Sequence, residues 1–510
     1  MTADVTCLRL RATDPSRWRA SALAWRRWAE LAAHLAAEVA DRLTGLAAAW
    51  TGAASAAAAQ RLSGLRRRLV LFRLLCWRAD QAVSEFADTI ARARALLTRA
   101  TEAGGTVDPN GAVRGPSTKV TADLTAALAV AEQADTSTAM RMTEIGVGAH
   151  EPAGPPVSAD RPACTASPAE VRRWWAGLTP AQQHWLLATE PRGLASLDGL
   201  PTADRDVANR LLLDERRAEL ERALTNARGG DRERLRDLRR GLDSLAYRLA
   251  DDDGPRAYLL RLDLAEEGRA VVALGDPDRA ANVLTHVPGM TADLASFGGE
   301  LARAERVAVR AAELGPAAAT SAVLWLDYDA PDFVDEAANA RRAEEAAPAL
   351  RRFQEGLRAA HEGSAARQTV LGHSYGSLVV GKAAADAGLA ADSVVFVGSP
   401  GVGVDSAGAL RVPTGEVWSS TSRSDVIQWA PVAPGGLARD LAVAAVVPIA
   451  GPWLAFGRPE QDLWFGTNPS DPAFGARIFA SQPDGGHLGY WDRDRPALDA
   501  LATITLGTAR

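Results

Sequence analysis

Cysteine is scarce: Cys7, Cys76 and Cys164 are the only three in 510 residues, they are widely spaced, and none forms a CxxC pair. Neither a disulfide framework nor a cysteine-based zinc site is expected from that pattern. Lysine is nearly absent, with Lys119 and Lys382 the only two, so almost all positive charge is arginine. The formal net charge is −6, which leaves no broad basic surface for nucleic acid and no acidic tail. Long apolar runs are missing too. The strongest, Leu441 to Phe456, is about 16 residues long and is interrupted by Pro448 and Pro452, short for a membrane span of roughly 20 residues. The opening stretch MTADVTCLRLRATDPSRWR has no apolar core, so no ordinary signal peptide is expected. Phosphate-loop, HExxH and EF-hand patterns are absent, and no cofactor or metal is expected. What is there, 47% hydrophobic and 24% charged residues, fits an ordinary soluble, cytoplasmic protein. At roughly 150 residues per domain the length suggests two to four domains.

Periodicity divides the chain. Asp14-Pro15 reads as an N-cap and first-turn proline. Apolar residues then recur at Trp28, Leu31, Leu35, Val39, Leu43, Leu46 and Trp50, in steps of three or four up to the last. Beyond Trp50-Thr51-Gly52 a second arm runs through Leu62, Leu65, Leu69, Phe72, Cys76, Val83, Phe86 and Ile90. Two such helices around a short turn are expected to bury these stripes against each other as a hairpin. A third helix is expected over Ala122 to Met142. Residues 1–142 are therefore read as a helical hairpin domain, 143–167 as a Gly/Pro-rich linker and 168–255 as a helical adaptor broken at 197–201. From 256 to 510 the period changes. Short aliphatic runs at 257–263, 269–274, 281–287, 321–328, 368–373, 393–398, 415–420 and 476–480 alternate in part with helical stretches at 293–313, 335–361 and 376–388. That pattern predicts an α/β domain with a mostly parallel sheet.

The chemistry centres on Gly372-His373-Ser374-Tyr375-Gly376, between a strand-like run and a helical one. A nucleophile elbow needs a serine on a tight strand-to-helix turn, with small residues two positions either side. Ser374 is the candidate nucleophile. The acid and the histidine should follow it in the chain. His487, in AspGlyGlyHisLeuGlyTyr (484–490), is the only later histidine and the candidate base. Asp425, after the seventh strand, is the first candidate for the acid, and Asp405, after the sixth, is the alternative. An oxyanion hole needs two backbone N–H donors. One is expected at Tyr375 and the other at Gly289 or Met290, in the loop HisValProGlyMetThr (286–291) after the third strand. The aromatics Trp429, Trp453, Phe456, Trp464 and Phe465 around 441–456 read either as a lid over an apolar acyl pocket or as packing. Gly401-Val402-Gly403 begins a dinucleotide-like turn, but Ser406 stands where a third glycine belongs.

These residues carry a resemblance. Trp174-Trp175 with Leu178-Thr179-Pro180, LeuAspGlyLeuPro (197–201), Ala208-Asn209-Arg210, ValProGlyMet (287–290), Trp325 to Pro331, GlyHisSerTyrGlySer (372–377), AspProAlaPheGlyAla (471–476) and GlyHisLeuGlyTyr (486–490) span two-thirds of the chain. Together they resemble the actinobacterial α/β-hydrolase family known as DUF1023. The resemblance implies an α/β-hydrolase fold and a Ser-Asp-His site, with no defined substrate. The N-terminal hairpin, through Trp50-Thr51-Gly52, resembles the WXG100/ESAT-6-like modules of type VII secretion. That implies a helical-hairpin partner or self-association, and leaderless export as an alternative to a cytoplasmic location. The tyrosine-acid export signal such hairpins carry near their end is missing, since the first tyrosine is Tyr247. The expected function is cleavage of a small-molecule or lipid-like acyl ester by an activated serine. The competing expectation is a secretion-associated binding protein whose hydrolase centre is secondary or inactive.

Overall fold

Eight segments whose side chains alternate between two apolar layers form one sheet in the computed structural model, which describes residues 6–108, 112–148, 162–163, 165–251, 254–425, 427 and 462–509. The strands are β1 (Ala257–Asp263), β2 (Arg269–Leu274), β3 (Asn282–Val287), β4 (Thr320–Leu326), β5 (Arg367–His373), β6 (Ser393–Val397), β7 (Val417–Ser420) and β8 (Arg477–Ile478). Their order is β8-β7-β6-β5-β3-β4-β2-β1. The pairs involving β3 to β8 are parallel with one another, and β2 runs antiparallel to both β1 and β4. Each strand lies within about two residues of the run the sequence predicts.

The two-residue side-chain period gives each strand two buried faces. Leu284, Leu371 and Val395 meet the helices Phe297–Leu314 and Pro496–Thr505 on one side. Val283, Val370, Val394 and Phe396 meet Arg341–Ala360 and Tyr375–Asp386 on the other. The parallel strands thus present all their C-terminal ends, and the loops that follow them, to one edge of the sheet.

Before the sheet, the chain is helical. α1 (Pro15–Ala49), α2 (Ala53–Glu102) and α3 (Thr118–Gly148) are followed by helices at Pro168–Ala176, Pro180–Thr189, Pro191–Leu194, Thr202–Asn226 and Gly229–Ala250. The Asp14 carboxylate caps α1 by accepting from the Ser16 amide, with Pro15 in the first turn. At 1.5 Å per residue α1 is about 52 Å long and α2 about 75 Å. Most of the expected linker, 149–161 and Cys164, lies outside the described residues, and Cys7 and Cys76 are free thiols.

The α1–α2 interface differs from the expected one. Ala22, Ala29, Ala32, Ala36 and Val39 are buried, whereas Trp28, Leu31 and Leu35 are 53%, 45% and 39% exposed and Trp50 is also exposed. Alanine lets two backbones approach closely, and the seam follows the alanines rather than the large side chains. On α2 the predicted stripe splits in the same way: Cys76, Val83, Phe86 and Ile90 are buried, while Leu65 and Phe72 face solvent.

Buried ion pairs tie this helical region to the sheet. Arg26 of α1 and Arg256, just before β1, both bind Asp80 of α2, at 2.8 and 2.9 Å. Arg256 also binds Asp206 at 3.0 Å, and Asp206 binds Arg210 at 2.8 Å.

Candidate active site

Ser374 follows β5 directly, with φ 53° and ψ −129°, and the helix Tyr375–Asp386 begins at the next residue. A non-glycine residue in the left-handed region is strained. The flanking sequence lets the turn close. A Cβ at Gly376 would lie 2.3 Å from the Val287 carbonyl oxygen, and one at Gly372 would lie 2.6 Å from the Ser377 Cα. Only glycine fits either position. The predicted strand–turn–helix is therefore present around Ser374.

The loop after β3 lies against this turn. A Cβ at Gly289 would sit 2.5 Å from the Ser374 Cβ and 3.1 Å from its Oγ. The Tyr328 hydroxyl fixes the loop by donating to the Pro288 carbonyl at 2.6 Å, and Thr291, at φ 62°, donates its amide to the Pro331 carbonyl at 2.9 Å. Tyr375 is the first residue of its helix, so its N–H has no partner within that helix. Gly289 and Tyr375 thus flank the serine from two loops. Met290 is partly buried against the main core.

Asp425 and His487 come from loops after β7 and β8. The His487 Nδ1–H donates to Asp425 Oδ1 at 2.8 Å. Asp425 is fully buried. Its Oδ2 accepts from the Tyr490 hydroxyl at 2.6 Å, and its Oδ1 also accepts from the Ile427 amide at 3.0 Å. Burial works to raise its pKa, but the bonds from His487 and Tyr490 outweigh that and hold the carboxyl below its ordinary value. Burial and the Asp425 charge in turn push the Tyr490 hydroxyl well up, so it stays a donor. Asp405 lies elsewhere. Its carboxylate accepts from the Thr467 amide at 3.3 Å and abuts Gly466, so of the two candidate acids the structure brings only Asp425 to His487.

Two residues with no sequence signature complete the arrangement. Gly398, at φ 54° just past β6, leaves the space that Asp425 and His487 fill: a Cβ there would be 2.7 Å from Asp425 Oδ2 and 3.0 Å from His487 Nδ1. His373, beside the serine, donates from Nε2 to the His487 carbonyl oxygen at 3.0 Å, with the two rings 4.7 Å apart and Trp491 edge-on at 4.9 Å. Burial, reinforced by His487, lowers the His373 pKa to about 3, so it acts as a neutral donor. Below it, His286 binds Glu300 at 3.1 Å. Burial opposes ionisation of Glu300, but the His286 bond and charge and Arg303 bring its pKa down to about 2.

The Ser374 hydroxyl forms no hydrogen bond to His487 among the described residues; the neighbouring His373 holds the His487 carbonyl, and the Ser374 amide donates to the Val397 carbonyl at 3.1 Å. Catalytic hydrogen bonds are often long until substrate is bound. The Gly401-Val402-Gly403 turn leads into an irregular loop with one 3-10 turn (Ala407–Ala409) rather than a long helix, so it lacks a helix N-terminus for a dinucleotide. Trp464 and Phe465 belong to a small hairpin (462–467) docked on that loop, the Phe465 amide donating to the Pro400 carbonyl at 3.1 Å. Trp429, Trp453, Phe456 and the 441–456 run read as a lid lie outside the described residues. No helix of the described residues is long and apolar enough to cross a membrane.

The profile of a family described as alpha/beta hydrolase matches residues 263–434, which include the elbow and Asp425. An uncharacterized protein of Mycobacterium tuberculosis (strain ATCC 25618 / H37Rv), Rv2079, is 29% identical over 382 residues, covering 66% of this chain and 55% of the relative. A second from the same strain, Rv0963c, is 33% identical over 219 residues, covering 39% of this chain and 80% of the relative. Mb0988c of Mycobacterium bovis matches to the same extent. The chain thus spans about half the length of the Rv2079 protein and its counterpart in another strain. No solved structure matches significantly.

Proposed function

The chain belongs to the alpha/beta hydrolase family, and from that premise we propose that it is a serine hydrolase that cleaves an acyl ester through an acyl-enzyme intermediate. The observation that carries this reading is the 2.8 Å bond from His487 to a buried Asp425, formed next to a serine on a strained elbow. In this mechanism Asp425 holds the His487 Nδ1–H, which leaves Nε2 as the base. Nε2 takes the Ser374 proton as Oγ attacks the acyl carbonyl, then returns it to the leaving alcohol. Water deacylates the serine by the same route. The amides of Tyr375 and of Gly289 or Met290 receive the oxyanion. Small-molecule or lipid-like acyl esters are the substrate class, with Ser374, Asp425 and His487 as the triad.

The test is labelling of the full chain by a fluorophosphonate, with the adduct located by mass spectrometry. Label on Ser374 that Ser374→Ala removes, and that His487→Ala reduces to background, supports the reading. An unlabelled, folded chain would sink it. The exposed stripe on α1 favours a second reading in that case, a binding protein with an inactive centre and the hairpin as its working part.

Gly398 offers a finer check. Gly398→Ala should lower ester turnover on the order of a hundredfold, because its methyl forces the Asp425–His487 pair out of line and misplacement by about 1 Å is that costly. Steady-state kinetics alongside thermal melting separates this from unfolding. A variant with wild-type kcat would mean that the pair tolerates displacement.

A further inference from the structure

The outer part of the α1–α2 hairpin combines two properties that the whole-chain net charge of −6 conceals. From Arg42 to Ala79 there is no acidic residue, while Arg42, Arg61, Arg66, Arg67, Arg68, Arg73 and Arg78 supply seven positive charges. Arg73 and Arg78 are taken up by Asp214 and Asp204 at the base of the hairpin. The other five are exposed and make no ion pair among the described residues. Beside them stands the apolar surface that the alanine seam leaves in solvent: Trp28, Leu31 and Leu35 on α1, Leu65 and Phe72 on α2, and Trp50 at the turn.

Of the five, Arg42, Arg61 and Arg68 share one side with this apolar surface, while Arg66 and Arg67 turn away from it. Arg61, Leu65, Arg68 and Phe72 follow one another at steps of four, three and four, a single stripe of α2; Trp28, Leu31 and Leu35 do the same on α1. The helices are antiparallel about the 50–53 turn, so Leu31 lies level with Phe72 and Leu35 with Arg68. Counted at about 100° per residue from the buried seam, both stripes turn to the same flank of the hairpin. The result is a projecting face of large apolar side chains interleaved with unpaired guanidinium groups.

We propose that this face binds an anionic membrane surface, lying in the interface rather than crossing it. Arginine beside Trp, Leu and Phe is the chemistry of interfacial helices: the apolar groups enter the headgroup–acyl boundary and the guanidinium groups meet lipid phosphates. A second copy of the same hairpin is a poor occupant, because three unpaired arginines on each copy would face one another. An ordinary apolar partner would leave those charges buried without counter-charge, which is costly. The proposal is independent of the chemistry at Ser374.

The test is flotation of the full chain with phosphatidylcholine vesicles, with and without phosphatidylglycerol. Binding is expected only with the anionic lipid and should weaken as salt is raised. Arg42→Glu/Arg61→Glu/Arg68→Glu should reduce partitioning by a hundredfold or more, at roughly fivefold per charge near the surface. Leu31→Ser/Phe72→Ser should reduce it about tenfold with the charges intact. Ser374→Ala should bind like wild type, so failure of the hydrolase reading leaves this result untouched. Circular dichroism checks that the surface variants remain helical. A wild-type chain that ignores both vesicles overturns the proposal. So does binding that either set of substitutions leaves unchanged, or retention of duplex DNA without vesicle binding, which would assign the basic face to nucleic acid.

Discussion

Asp425→Asn should lower kcat on an activated acyl ester by about three to four orders of magnitude, with KM changed only a few-fold and the fold intact. The carboxylate accepts from three donors: His487 Nδ1, the Tyr490 hydroxyl and the Ile427 amide. All three require an acceptor, and an amide provides only one oxygen. If that oxygen stays on Tyr490, the amide nitrogen faces His487 and favours the tautomer with the proton on Nε2. The imidazole then cannot accept the serine proton, a defect of this size where the equivalent exchange is made in other serine hydrolases. The companion substitution, Asp405→Asn, should leave kcat within about twofold, because among the described residues Asp405 meets the Thr467 amide and the 466–467 turn, away from His487. Steady-state rates for the two variants decide the matter. An Asp425→Asn enzyme within tenfold of wild type, or an Asp405→Asn enzyme equally impaired, would remove Asp425 from the mechanism. Tyr490→Phe tests the support of the acid: it withdraws one donor from Asp425 but leaves the His487 bond, so a loss nearer tenfold is expected.

The site was legible in the sequence to the extent that it is built from local turns. Gly372, Ser374 and Gly376 announce their elbow because the pattern falls within five residues, although what Gly376 makes room for is the Val287 carbonyl of another loop, and the position of Gly289 follows from strand order. Asp425 could be ranked above Asp405 but not separated from it, since both follow strands on the same edge and only the spatial path of their loops tells them apart. Gly398 carried no signal. Its importance comes from side chains 27 and 89 positions further on that happen to fill the space where a methyl would stand. His373 lies inside the elbow motif, but nothing in that motif shows that it holds the His487 carbonyl. The strands were legible because aliphatic runs buried on both faces have no other use in a short segment. The hairpin seam was misread for a reason specific to alanine-rich helices. Ala22, Ala29, Ala32 and Ala36 recur with helical spacing just as Trp28, Leu31 and Leu35 do, and close backbone approach favoured the smaller set.

Arg256→Met should cost the folded protein about 3–5 kcal/mol, the largest loss expected of any single change outside the candidate site. Among the described residues Arg256 is the cation that reaches both Asp80 on α2 and Asp206 on the adaptor helix Thr202–Asn226, while stacking at 4.5 Å on the Tyr258 ring. All three ionic groups are almost wholly excluded from water. Removing the cation leaves two buried carboxylates with a reduced share of counter-charge, and an unpaired buried charge is penalised by about that amount. The same logic gives the pH dependence. Burial works to raise the Asp206 pKa, but Arg210, Arg256 and the Leu259 amide bring it below its ordinary value. A carboxylate with a depressed native pKa stabilises fully above its unfolded value of about 4, and that contribution is lost as pH falls through the native value. Wild type should therefore weaken below about pH 4, whereas Arg256→Met, lacking much of that depression, should show a shallower acid limb. Urea unfolding followed from pH 3 to 7 measures both. In a double-mutant cycle Asp80→Asn should cost less in the Arg256→Met background than alone, because the charge it removes has already lost one of its two cations and keeps only Arg26. Strictly additive losses, or a single-variant cost below about 1 kcal/mol, would mean that water reaches these groups and that the helical region is held to the sheet by its apolar contacts instead.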